Sequence, residues 1–289
     1  MSRHSFNESY TWGEFVARCA LPAEGKGGSR LGSRSSDNAN CGGTFNQAME
    51  RATGKGYAEV LPEVERVAGR VSDQVFTSRL ESTFQAVHDV AGSEVDIDRF
   101  LDGTPECMIE SEPVRIARQG RAVRVAVNVS ASWCTDEAVI RRRGAAVLAL
   151  LDVLRRAQHP VEVWAVVQVR AQKSDGAVGV TSVLVQRADE PVDEGRLAFA
   201  LAHPGFLRRL WFACEEQHPG GIRQAYSFGH TGGGYGIPVP KCREDCVPPD
   251  ATGHTILVDG LGVGNIKWTE EQGAEWINDQ LDTLFGADS

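Results

Sequence analysis

No apolar run in these 289 residues is long enough to span a bilayer, and Met1 to Tyr10 lacks the apolar core of a secretory signal. The expectation is a cytoplasmic protein with no membrane role. A cationic surplus is missing too: 30 lysines and arginines stand against 39 aspartates and glutamates, a formal net charge of −9. That balance argues against a general phosphate-binding surface, and so against nucleic acid as a partner. The seven cysteines are odd in number and form no close framework, which points to reduced thiols rather than a secreted disulfide scaffold. Catalytic signatures are also scarce. There is no Gly-x-Ser-x-Gly elbow and no Walker spacing, Gly260 to Gly264 opens no dinucleotide fingerprint, and no carboxylate pair stands out.

What is present is enough for a core. With 42% hydrophobic and 24% charged residues, the chain can build one large domain, or one domain with an elaborated arm. In Val123 to Val129 valines alternate with Arg124, Ala126 and Asn128, the period of a buried strand. From about Asp136, Ile140, Gly144, Val147, Leu148, Leu151 and Leu154 recur at helical spacing, with Arg141, Arg142, Arg155 and Arg156 free to face solvent. His159-Pro160 stops that helix, and Val161 to Val169 forms a second strand. Together they make a right-handed βαβ unit with parallel strands. Asp175-Gly176 then marks a turn, so Val180 to Gln186 should return antiparallel to Val161–Val169.

Ligands of open α/β sheets gather beyond the carboxyl ends of the strands, where Asn128-Val129-Ser130-Ala131-Ser132 lies. Asn128, Ser130 and Ser132 are two apart and can turn three oxygens to one point. This stretch resembles the Asp-x-Ser-x-Ser motif of von Willebrand factor A domains, with Asn128 in the aspartate position. In that family the motif holds a magnesium ion that captures a partner's carboxylate. An amide oxygen brings no negative charge, so the resemblance implies a degenerate site with weakened affinity for magnesium or manganese. It also implies roles for Thr231, in the glycine-dense stretch Tyr226 to Pro240, and for Asp259, at the end of a short strand over Thr255 to Val258. The fold implied is α/β, with a von Willebrand A-like or Rossmann-like central sheet and one antiparallel edge hairpin. Such a sheet needs further strands after the Asp259 strand, and little sequence follows it.

The remaining chain is read as follows. Tyr10 to Arg18 is amphipathic, with Trp12, Phe15 and Val16 as anchors, and Ala23 to Gly43 is a glycine- and serine-rich loop or linker. Thr44 with Gln47 caps a helix ending near Gly54, and Pro62 opens another. Val71 to Val90 fits helix or strand. Ile97 to Leu101 is a short helix followed by a Gly103-Thr104-Pro105 turn, and Met108 to Ala117 is an edge strand. Asp96, Asp98, Asp102 and Glu106 lack the glycine and closing glutamate of a calcium loop and read as a solvated acidic face. Glu194 to Ala202 and Pro204 to Glu216 are helical, the second burying Phe206, Leu207, Leu210, Trp211 and Cys214. Thr269 with Gln272 caps a last helix. The domain boundary is set at 110/111: a mainly helical N-terminal extension over 1–110 and the α/β domain over 111–289.

Two further candidates concern thiols. Cys242-x3-Cys246, with His230 and His254 nearby in sequence, offers permissible zinc ligands, against the alternative of a surface loop with incidental cysteines. Cys134 stands at the entrance of the first helix, where a helix dipole favours thiolate; a buried, inert thiol is the competing expectation. Segments Thr44 to Gly56, Val95 to Met108 and Arg124 to Trp164 together are also similar to a group of proteins encoded by tailed phages and prophages. That resemblance implies action in the host cytoplasm or in the virion, and supplies no activity. The function expected is a module that binds a protein partner through the Asn128, Ser130, Ser132, Thr231 and Asp259 rim. The alternatives are a metal-dependent hydrolase or nuclease using the rim or the zinc set, and a structural virion protein. Homo-oligomers are compatible with each.

Overall fold

The structure is a computed structural model that describes residues 4–22, 32–35, 40–71, 80–117, 121–172, 176–229, 234–249, 254–262 and 267–285. Its strands are β1 Phe6–Thr11, β2 Leu80–Asp89, β3 Glu94–Val95, β4 Met108–Ala117, β5 Val123–Asn128, β6 Val161–Arg170, β7 Val178–Gln186, β8 Ile237–Pro238 and β9 Thr255–Val258. Its α-helices are α1 Trp12–Ala20, α2 Phe45–Glu50, α3 Leu61–Ala68, α4 Ile97–Leu101, α5 Glu137–Arg156, α6 Glu194–Ala202, α7 Phe212–Glu215, α8 Gly220–Tyr226 and α9 Glu270–Phe285. A π-helical turn, Phe206–Trp211, runs directly into α7. The fold is α/β. Among the described residues no helix is long and apolar enough to cross a membrane.

The chain divides into two compact units, residues 1–71 with 121–289, and residues 72–120. This departs from the boundary expected at 110/111. The N-terminal 71 residues are mainly helical, but β1 pairs in parallel with β7 and α3 packs on α5, so they belong to the main unit. Met108–Ala117 is likewise no edge of the central sheet. It is the middle strand of the small unit's own antiparallel sheet, ordered β2-β4-β3; within the ambiguous stretch Val71 to Val90, Leu80–Asp89 is strand and residues 72–79 lie outside the described residues.

The central sheet runs β1-β7-β6-β5-β9, with β8 pairing to β6. Strands β5, β6 and β9 are parallel and β7 runs against β6, as the hairpin expectation required. All six side chains of β5 are buried. Ala126, Trp164 and Val166 pack in one cluster with Cys242, Cys246 and Val247, so the segment after β8 covers that face. The alternate residues Val125, Val127, Val163 and Ala165 are equally buried and point the other way. Helices α3, α5, α6 and α9 pack against one another, with α5 touching β6 and α6 touching β7. The α5–α6 crossing is so close that a Cβ on Gly144 would lie 2.4 Å from the Ala202 Cα. That contact explains a glycine inside a long helix, where it otherwise costs about 1 kcal/mol relative to alanine.

Local chemistry sets the helix ends. Thr11 and Glu14, Thr44 and Gln47, and Thr269 and Gln272 form reciprocal side-chain caps, and Asp136 Oδ1 accepts from the Ala138 amide 2.7 Å away to start α5. The expected loop over Ala23 to Gly43 is tied down where it is described. Ser33 and Cys41 are buried, and Arg209 Nη1 donates to the carbonyls of Ser33 and Ser35, each at 3.0 Å. His203, after α6, is buried against Tyr57 and Phe199 and accepts from the Gly205 amide through Nδ1 at 3.0 Å. Burial, helped by repulsion from Arg51 and opposed by Glu59, lowers its pKa from 6.5 to about 4. Between those values the unfolded chain binds the extra proton, so stability falls as the pH drops through that window. Urea unfolding should show a loss of about 2 kcal/mol from this group between pH 7 and pH 5. His203→Asn, which keeps an acceptor for Gly205, should flatten the slope; an unchanged slope would refute the assignment.

Candidate functional site

The parallel strands β5 and β9 end side by side, and this places Asn128 next to Asp259 although more than a hundred residues separate them. The ends are joined by Arg143, a buried residue of α5. Its Nη2 donates to the carbonyl of Asn128 at 2.8 Å and to that of Asp259 at 2.7 Å. Burial lowers its pKa to about 10, still far above neutrality, so the guanidinium stays charged. Parallel pairing continues past the strands through a bridge between Ala131 and Leu261, with the Leu261 amide donating to the Ser130 carbonyl at 3.0 Å.

The motif's polar groups do not converge on a shared point. The Asn128 side chain is fully buried: Nδ2 donates to the carbonyls of Val239 at 2.8 Å and Pro240 at 3.1 Å, and Oδ1 accepts from the Ser130 amide at 3.0 Å. Ser130 Oγ bonds to the main chain of Gln168, accepting from its amide at 3.1 Å and lying 3.4 Å from its carbonyl oxygen. Ser132 Oγ accepts from the Cys134 amide at 3.4 Å. Asp259 turns its carboxylate to the opposite strap of chain, accepting from the Cys242 amide at 2.8 Å and pairing with Lys241 Nζ at 3.1 Å. Thr231 lies outside the described residues. Thus Asn128 and Asp259 both hold the 239–242 segment against the strand ends, and each uses a hydrogen bond where the resemblance implied a metal ligand.

Cys242 and Cys246 do come together, within the apolar cluster over Ala126 and Trp164. Burial raises their thiols to about 12 and about 11. Cys246 Sγ accepts from Gln168 Nε2, and Cys242 Sγ lies 3.7 Å from the Ala126 carbonyl. His254 stands at the other end of β9, with Nε2 3.4 Å from Arg121 Nη1, and His230 is outside the described residues. Among the described residues no group of three or more His, Cys, Asp or Glu is placed to hold a metal ion. Cys134 is exposed, against the expectation of a buried thiol, because it sits in the loop before the Asp136 cap.

Beside the clamp a pocket of about 210 Å³ opens beyond the ends of β5 and β6. It is lined by the loop Ser130–Trp133, by Arg208, which holds that loop, and by Phe212 and Tyr235 among others. Arg208 is buried. Its Nη2 donates to the carbonyls of Ser132 at 3.1 Å, Trp133 at 3.4 Å and Thr135 at 2.8 Å, and its Nη1 donates to Asn40. Its guanidinium lies 5.5 Å from the centre of the Trp133 ring, and burial lowers its pKa. Tyr235 stacks on Phe212 with ring centres 3.6 Å apart and donates to Glu216, which also accepts from the amide and hydroxyl of Ser33. Glu215 Oε1, deeper in the pocket, accepts from Thr181 at 2.8 Å and Trp211 Nε1 at 3.0 Å, while Oε2 lies 2.9 Å from His218 Nε2.

Sequence reasoning singled out Asn128, Ser130, Ser132 and Asp259, of which the structure brings Asn128 and Asp259 side by side, and passed over Arg143, Arg208, Glu215 and Tyr235. For Arg143 a signal existed: it precedes Val147 by four residues and Leu150 by seven, so it shares the buried side of α5.

A family model described as "Domain of unknown function (DUF7192)" matches residues 3–283, and the chain belongs to that family. No curated protein and no solved structure matches it.

The packing at the strand ends yields a paired test. A Cβ on Gly260 would meet the Ser130 carbonyl oxygen at 3.0 Å and the Asn128 side chain at 3.1 Å, whereas one on Gly262 finds nothing nearer than Pro240 at 3.8 Å. Gly260→Ala should therefore cost about 1–3 kcal/mol in urea unfolding, and Gly262→Ala less than about 0.5 kcal/mol. Equal effects would contradict the clamp's geometry.

Proposed function

We propose that this family member is a protein-binding module of von Willebrand A-like design, in which hydrogen bonds from Asn128 replace the metal ion and the pocket beside Ser130–Trp133 receives a side chain of the partner. The observation that carries the proposal is the buried Asn128 amide donating to two carbonyl oxygens. A carboxylate at that position can only accept, so gathering further oxygens around it requires a cation; an amide brings two N–H donors of its own. The von Willebrand A-like reading is supported by the order β7-β6-β5-β9, by the antiparallel course of β7, and by the meeting of Asn128 with Asp259 at one end of the sheet. At the far edge the sheet is extended by β1 rather than by strands after β9.

Binding rather than chemistry is favoured by the state of the pocket's polar groups. Ser130 Oγ, the Arg208 amino groups and Glu215 Oε1 are already committed to partners within the protein, and the other Glu215 oxygen, Oε2, makes no hydrogen bond but is buried 2.9 Å from His218 Nε2. Groups held this way shape and orient a site, whereas a nucleophile or general base needs access to the reacting atom. The walls contributed by Val167, Leu207, Phe212 and Phe228 suit an apolar or aromatic side chain.

Metal dependence and partner binding are tested separately. The melting temperature of the wild-type protein should move by less than about 1 °C between EDTA and millimolar magnesium, manganese or zinc. Asn128→Asp puts a carboxylate against two carbonyl oxygens and should cost about 3 kcal/mol in EDTA, with part of the loss recovered on adding magnesium or manganese. A wild-type shift of several degrees with any of the three ions would overturn the metal-free reading. For the partner, a photoreactive residue at Ala131 should trap a protein in cells that make this chain, and the same probe at exposed Val178 should not. Equal trapping at both positions would overturn the role given to the pocket.

A further inference from the structure

The small unit, residues 72–120, carries a surface that the pocket reading does not use. It contains ten acidic residues against four arginines, a balance of −6 within a chain whose total is −9. On this acidic background large apolar side chains stand in solvent: Ile97 is 67% exposed, Phe100 63%, Leu101 75% and Val90 67%. Ile97, Phe100 and Leu101 fall at i, i+3 and i+4 and so share one side of α4. Apolar groups gathered on a folded surface, with a polar rim, mark contact sites for other molecules.

Their exposure is built into a backbone held by local hydrogen bonds. Asp96 caps α4 by accepting from the Arg99 amide at 3.2 Å, and its other oxygen lies 3.0 Å from His88 Nε2 on β2. The Asp96 amide donates to the Cys107 carbonyl at 2.8 Å, the Thr104 amide to the Arg99 carbonyl at 2.9 Å, and β3 pairs with Met108 and Ile109. The helix is thus anchored at both ends while its apolar side is left uncovered within the unit. Asp98, Asp102, Glu94 and Glu106 near it in the chain are exposed, and Arg99 is the one arginine or lysine between Ala86 and Ser111.

We propose that this unit docks a protein partner with a basic rim around an apolar groove, which takes Ile97, Phe100 and Leu101 while its lysines or arginines meet the surrounding carboxylates. Charge decides among occupants. A second copy would bring another −6 against the first, and nucleic acid would bring phosphates, so both meet repulsion. The proposal is independent of the pocket reading, since it concerns different residues in a different compact unit.

The probe is a synthetic amphipathic helix of leucine and lysine, compared with one in which glutamate replaces lysine. Each is fluorescently labelled and titrated with the full chain at low and high salt. The leucine–lysine peptide should bind, more weakly at high salt, and the leucine–glutamate peptide should not. Phe100→Ser with Leu101→Ser should weaken binding at least tenfold. Asp98→Asn with Asp102→Asn should weaken it severalfold at low salt and flatten the salt dependence. All four side chains are exposed, and unchanged melting temperatures confirm that the variants are folded. Binding indifferent to both double variants, equal binding of the two peptides, or no binding of the lysine peptide would overturn the proposal. So would a concentration-dependent dimer of the wild-type chain that Phe100→Ser with Leu101→Ser abolishes, because a second copy would then be the occupant.

Discussion

Carbonyl oxygens that leave the end of a parallel sheet have no next strand residue to meet, and a buried one without a donor costs about 1–3 kcal/mol. In this protein that constraint is met by side chains with N–H groups to spare. Arg143 serves the last carbonyls of β5 and the residue after β9, Asn128 serves Val239 and Pro240, and Arg208 serves Ser132, Trp133 and Thr135. Guanidinium is suited to the task because it has five donors and no acceptor. Burying its charge is unfavourable, which is why Arg143 and Arg208 are shifted downward, but in these positions the charge faces several carbonyl dipoles at once.

The same donors give the crevice its shape. The Ser130–Trp133 loop is held by pairing with Leu261 and by Arg208, so the side of the pocket it forms does not depend on a ligand to take shape. Glu215 lines the pocket from α7, and Glu216, just after it, holds the lining residue Tyr235; each carboxylate is engaged by hydroxyl, indole or phenol donors.

The central unit was largely written in local pattern. The alternation in Val123–Val129, the helical spacing after Asp136 and the reciprocal caps at Thr44 and Thr269 each specify their element without distant help, and the adjacency of Asn128 and Asp259 followed from the resemblance those elements carry. What local pattern missed depends on partners far along the chain. Nothing marks Phe6–Thr11 as a strand because its pairing lies with β7, so only the amphipathic stretch that overlaps its last two residues stands out, and the tie between Asn128 and residues 239–240 requires the crossing of a segment that no periodicity marks. Arg143 was hidden for a different reason: it stands in a run of three arginines whose other two members face outward, so composition outweighed helical phase. Met108–Ala117 was read as an edge because its two neighbours, β2 and β3, are respectively ambiguous and only two residues long.

The parallel pairing of Phe6–Thr11 with Gly179–Leu184 also sets an order of events during synthesis. Once made, Phe6–Thr11 cannot close its ladder until a stretch some 170 residues later has emerged from the ribosome, a wait of roughly ten to thirty seconds at ordinary elongation rates. Throughout that interval its amides and carbonyls must be satisfied by water or by a chaperone. Translation speed, as well as sequence, therefore sets how long Phe6–Thr11 remains without its partner strand.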